Sequence, residues 1–204
     1  MHRVSRSAFV VLLFGALSIA KLAQAGDVQG KIKATGLKSV GGIAIYIDAI
    51  PGKKFDRPAD HVSVDQKNML FVPRTVVILR GTTVAFLNSD QVAHNVYWPS
   101  VGGNKNLRHS LTIVSPGQKK SFEFDDLGAA QLLCNMHTDM VGYVVVVPTP
   151  YFALTDNDGV FTIKNVPAGT YTLKSWSADG KPTTQSITVA DATTNVEIAV
   201  VSAK

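Results

Sequence analysis

The stretch that decides the fold is Cys134-Asn135-Met136-His137-Thr138-Asp139-Met140-Val141-Gly142-Tyr143. An apolar run, Ala129-Ala130-Gln131-Leu132-Leu133, leads into it, and a second strand-like run, Gly142 to Val147, leads out. A thiol, an imidazole and a thioether (Cys134, His137 and Met140) therefore stand three residues apart on one short connection between strands. A loop curling around an ion can present every third residue inward. Cys134 is the only cysteine of the 204 residues, so the chain forms no intrachain disulfide. Zinc ribbons, cysteine-only iron–sulfur sites and c-type haem attachment each need at least two, and are excluded. If Cys134 does chemistry, it does so with other residue types.

Those other types lie upstream. Gly81-Thr82-Thr83-Val84-Ala85-Phe86-Leu87-Asn88-Ser89-Asp90 reads as a strand ending in an Asn/Asp turn, and Ala93-His94-Asn95-Val96 follows it. His94 adds a second imidazole and would tie the cysteine loop to a sheet. Taken singly, each residue has an ordinary explanation. A lone buried cysteine is usually core, Met140 could fill space in the interior, and His94 or His137 could be a hydrogen-bonded or surface histidine. Taken together, thiolate and thioether are soft donors and imidazole suits copper in both oxidation states. Two histidines, a cysteine and a weak axial methionine make up the blue-copper arrangement. Little movement between Cu(I) and Cu(II) is then needed, which favours electron transfer. His61 and His109 do not fit this pattern.

The rest of the chain reads as β. Gly26–Gly30, Ile43–Ile47, Asn68–Val72, Thr75–Leu79, Thr82–Leu87 and Gln118–Phe124 are short segments rich in β-branched and aromatic residues. Turn signals such as Gly41-Gly42, Pro51-Gly52, Arg80-Gly81 and Pro116-Gly117 separate them. Short strands at this spacing predict a sandwich or barrel. Tyr97 to Ile113 reads as a long polar stretch. Pro148-Thr149-Pro150 marks a boundary, since proline withholds a ladder donor and stiffens a connector. Asp156 and Asp158 with Gly159 faintly echo a calcium loop. The twelfth position is Pro167 rather than Glu, so a tight hairpin turn is expected there.

The middle of the chain, about residues 60–147, resembles the cupredoxins (plastocyanin, pseudoazurin, amicyanin). These carry one histidine after a G-x-x-V-x-F-x-N strand and the other ligands in a C-x(2)-H-x(n)-M loop. The resemblance implies a Greek-key β-sandwich over 56–148 and one mononuclear type 1 copper. His94 and His137 would be imidazole ligands, Cys134 the thiolate and Met140 the axial thioether, in the short amicyanin-like spacing. Asn95 would stand behind the first ligand and pin the cysteine loop. The run Thr155, Asp156, Gly159, Phe161, Ile163, Val166, Pro167, Gly169, Tyr171, Leu173 resembles the second half of carboxypeptidase regulatory-like, transthyretin-like domains. Such domains open with strands like Val28–Ile32 and Ile43–Ile47. A discontinuous unit is therefore expected, 26–55 plus 149–204, with the cupredoxin-like part inserted. The combination is similar to bacterial methylamine-utilisation or plastocyanin-like proteins.

Composition bounds what remains. With 46% hydrophobic and 17% charged residues, the chain is too apolar for disorder. Arg3 and Arg6 precede the apolar run Ala8 to Ala20, and Ala23-Gln24-Ala25 offers a cleavage site, the three-part pattern of a secretory signal peptide over 1–25. Thirteen apolar residues span only about 20 Å, short of the ~30 Å bilayer core. A periplasmic or secreted protein with no membrane span after cleavage is expected. Loss of 1–25 removes three basic residues and leaves 17 basic against 15 acidic, or +2. No basic stripe marks a nucleic-acid partner. The reading is an electron carrier for a redox protein such as a cytochrome c or a dehydrogenase. Met136 and Val141 are its candidate docking patch. The alternative is a copper chaperone or sensor with the same ligands. An enzyme is not expected, because four histidines beyond residue 25 cannot build a multicopper cluster. A cysteine hydrolase would also need its thiolate and base oriented by a third group.

Overall fold

The computed structural model describes residues 25–204, so the expected leader falls outside the described residues except for Ala25. The described chain is almost entirely β, sixteen strands in four sheets, with a single short 3-10 turn at Lys105–Leu107. The strands are β1 (Ala25–Thr35), β2 (Ala44–Ile47), β3 (His61–Lys67), β4 (Leu70–Val72), β5 (Thr75–Leu79), β6 (Thr82–Asn88), β7 (His94–Trp98) and β8 (His109–Val114). They continue with β9 (Lys119–Phe124), β10 (Gly128–Leu133), β11 (Val141–Val147), β12 (Phe152–Leu154), β13 (Val160–Pro167), β14 (Gly169–Trp176), β15 (Thr183–Val189) and β16 (Thr194–Val201).

Strands β3 to β11 form one sandwich. Its sheets run β4-β3-β6-β9 and β5-β11-β10-β7-β8. Strand β6 shows why. Its residues alternate strictly between buried and half-buried, so Val84 and Phe86 face inward while Thr83 and Ala85 face out. Phe86 meets Trp98 of the facing sheet at 6.3 Å between ring centroids, and Phe124 meets the same indole at 5.0 Å. Cys134 and Met140 belong to this core, beside Leu132, Val96 and Val144.

The remaining strands form the second sandwich, with sheets β13-β1-β16 and β12-β2-β14-β15. Strand β1 pairs antiparallel with β13, Gly30 opposite Phe161, and parallel with β16, Ile32 opposite Ile198. Strand β2 pairs with β12 and β14. The core joins Val28, Ile43, Ile45 and Ile47 to Phe161, Ile163, Leu173 and Ile198. The two sandwiches meet through a smaller cluster. Ala44, Tyr46, Phe152 and Trp176 cover Val77, Val145, Val147 and Ala129.

Three expectations need correction. Asn68–Val72 is not one strand. Asn68 and Met69 are a turn with φ of 55° at both, and only Leu70–Val72 pairs. The Tyr97–Ile113 stretch is not a long loop, since β7 runs to Trp98 and β8 begins at His109. The turn at Asp156–Gly159 does not close a hairpin. It carries the chain from one sheet to the other, because β12 pairs with β2 and β13 with β1. The Asp156 carboxylate accepts the amides of Asp158 and Val160, at 2.9 and 2.8 Å, so it is spent on the turn.

Candidate metal centre

Sheet register brings the site together. Strand β10 pairs antiparallel with β11, Leu133 opposite Val141, so residues 134–140 form the closed end of a hairpin. On its other side, Leu133 lies opposite Tyr97 of β7. Continuing that register by two residues sets Asn95 beside Asn135. The Asn95 side chain accordingly accepts the Asn135 amide at 2.8 Å. Within the loop, the Met140 amide donates to the His137 carbonyl at 3.0 Å and turns the chain back toward β11.

Three donor atoms converge there. His94 Nδ1 lies 2.9 Å from His137 Nδ1, and Cys134 Sγ lies 4.0 and 3.9 Å from them. A point in the plane of these atoms sits about 2.1 Å from all three, within the range of metal–imidazole and metal–thiolate bonds, about 2.0–2.3 Å. His94, Cys134 and Met140 are buried, the cysteine at 3% exposure, while His137 is half-buried. Met140 shares the core cluster of Cys134. The arrangement can hold one soft or borderline ion inside the protein, with a single imidazole edge reaching the surface.

Sequence reasoning missed Asp90. Its carboxylate lies 2.8 Å from His94 Nε2, and it also accepts the amides of Asn68 at 2.6 Å and Met69 at 2.9 Å. The Met69 amide is the foremost cause that holds the Asp90 carboxyl below its ordinary range. Desolvation opposes it, and the His94 ring and the Asn68 amide assist. An ionised carboxylate facing Nε2 favours the tautomer with its proton there. That leaves the Nδ1 lone pair for a metal. The only local signal was an acid four residues before the histidine. The turn that orients it is contributed by distant residues 68 and 69.

Asn88 braces the same corner. Its side-chain amide donates to the carbonyls of Val92 and Val114, and its oxygen accepts the Asp90 amide. The two histidines set aside by sequence lie elsewhere. His61 begins β3 opposite Thr83, at the far end of its sheet from Gln66 and Asn88. His109 is exposed and packs at a tilt against Trp98 and Phe122, with centroids 5.2 and 4.4 Å away.

Residues 58–147 match the family of copper binding proteins described as plastocyanin/azurin. Among curated relatives, a plastocyanin of Scenedesmus fuscus is 28% identical over 81 residues, covering 37% of this chain and 83% of that protein. An amicyanin of Paracoccus versutus is 29% identical over 92 residues, covering 45% of this chain and 68% of its own. Among solved structures, a reduced amicyanin variant matches with 24% identity and a TM-score of 0.40, covering 44% of this chain and 84% of that one. A purple cupredoxin from Nitrosopumilus maritimus matches with 24% identity and a TM-score of 0.37, covering 42% and 98%. Residues 149–196 match a family described as domain II of polysaccharide lyase family 4.

Proposed function

We propose that the chain is a type 1 copper protein that carries single electrons between redox partners in the periplasm or outside the cell. One observation carries the reading: two imidazole Nδ1 atoms and the Cys134 sulfur form a triangle, buried at His94 and Cys134 and half-buried at His137, whose centre suits a metal. Copper bound there would supply one-electron chemistry. His94, His137 and Cys134 would hold it, with Met140 as the axial thioether. The protein's part is to hold these donors still. The sheet register fixes His94 against the cysteine loop, Asn95 pins that loop, and Asp90 sets the His94 tautomer. His137, alone half-exposed among the three, offers the edge through which an electron leaves. The role is not catalytic.

The remaining assignments belong to the same proposal. Residues 1–25 act as an export signal, and 26–55 with 149–204 form a transthyretin-like unit around the copper domain.

The experiment is direct. Cu(II) added to the purified mature protein should develop an intense blue or green thiolate-to-copper absorption. Cys134→Ser should abolish it. Met140→Leu should keep the colour and raise the reduction potential, because a donor that favours Cu(II) is lost. No colour in the unaltered protein would end the reading. Slow exchange with small redox proteins, despite colour, would favour a copper-handling role.

A further inference from the structure

A groove of about 580 Å³ opens beside the cysteine loop. Tyr97, Pro99, His109, Asn135, Lys105 and Arg108 are among the residues that line it. Its place in the fold is what matters. Asn135 is bonded to Cys134, and Tyr97 lies opposite Leu133, the residue before that cysteine. An occupant of the groove would touch Asn135, one residue from Cys134.

Its charge is one-sided. Lys105 and Arg108 are both exposed, and neither enters an ion pair among the described residues. No carboxylate lines the groove. The segment carrying both cations is also held in place. Asn104 caps the 3-10 turn Lys105–Leu107, the Arg108 amide bonds back to Lys105, and Val101 bridges to Ala130 of β10. The Gly102 amide adds a bond to Ala129 at 3.0 Å. The connection that carries these two uncompensated cations is thus tied, through Val101 and Gly102, to β10, whose last residue, Leu133, precedes Cys134.

We propose that this groove docks the acidic face of a protein redox partner. The proposal rests on the electron-carrier reading. The groove is an open trough rather than an enclosure, whereas small-ligand pockets bury most of their ligand. Electron-transfer encounters need only a small contact. Complementary charge steers them and speeds association, most strongly at low ionic strength.

The test uses the mature full-length protein in two arms. In the first, metal-free ¹⁵N-labelled protein is titrated with a polyglutamate peptide at low ionic strength. Shifts should centre on the amides of Tyr97, Ser110 and Asn135 and vanish in the double variant Lys105→Glu with Arg108→Glu. Shifts centred on Lys53-Lys54 or Lys119-Lys120, or shifts that survive the double variant, would overturn the proposal. So would equal saturation of the same amides by inorganic phosphate, which would make the groove a small-anion site. In the second arm, the Cu(I) protein reduces hexacyanoferrate(III) to hexacyanoferrate(II) by one electron and becomes Cu(II). The double variant should be about tenfold slower at low ionic strength and equal at high salt, with unchanged absorption. An equal rate at low salt would overturn it as well. The first arm needs no copper, so failure of the metal reading and failure of the groove are told apart.

Discussion

Among single residues, Asp90 carries the most that sequence could not show. His94, Cys134, His137 and Met140 were legible because soft and imidazole donors at that spacing are rare by chance. Asp90 looked like a turn residue, and its role depends on amides from another hairpin. Removing it leaves the buried His94 Nε2 without its partner. Asp90→Ala should therefore cost about 1–3 kcal/mol in urea unfolding of the metal-free protein. Copper affinity, measured by competition with a chelator, should fall about 10–100-fold, as for loss of other groups that orient metal-bound histidines. Asp90→Asn should recover most of the stability but not the full affinity, since it keeps a hydrogen-bond acceptor and loses the charge.

For the elements, strands with strict alternation were readable and those with interrupted alternation were not. Strand β6 alternates without a break. Strand β8 buries every third residue, Leu111 and Val114, because Thr112 has a φ of 61° and the pairing with β7 slips between Asn95 and Tyr97. A period of three in a polar segment reads as loop. Strand β3 was obscured differently: it buries Gln66, whose amide donates to the Leu87 carbonyl, where an apolar residue would be expected. The Asn95–Asn135 bond is the element-scale link that holds the loop to β7. Asn95→Ala should destabilise the protein by about 1 kcal/mol, the net worth of one hydrogen bond. Hydrogen exchange at the Asn135 amide should quicken while β11 amides stay protected. Unchanged exchange at Asn135 would argue that something else pins the loop.

Across the whole molecule, the second sandwich draws strands from both ends of the described chain. Residues 149–204 lack β1, which sits between β13 and β16, and β2, which joins β12 to β14. Expressed alone, this piece should give no cooperative thermal transition, whereas the intact chain should. A folded isolated piece would contradict the sheet order. The middle sandwich has all its strand partners within itself, but cutting it out uncovers Val77, Val145 and Val147. It should fold and bind copper, with reduced solubility from that apolar patch.

The same sheet order imposes a timetable on synthesis. A chain appears N-terminus first, and its domains usually close in that order. Here β1 and β2 emerge with Val28, Ile43, Ile45 and Ile47 uncovered, and their partners β12 to β16 come last. The inserted sandwich completes its pairings in the interval. The earlier segment must therefore wait for the later one, holding its apolar face unpaired while the middle sandwich closes beside it.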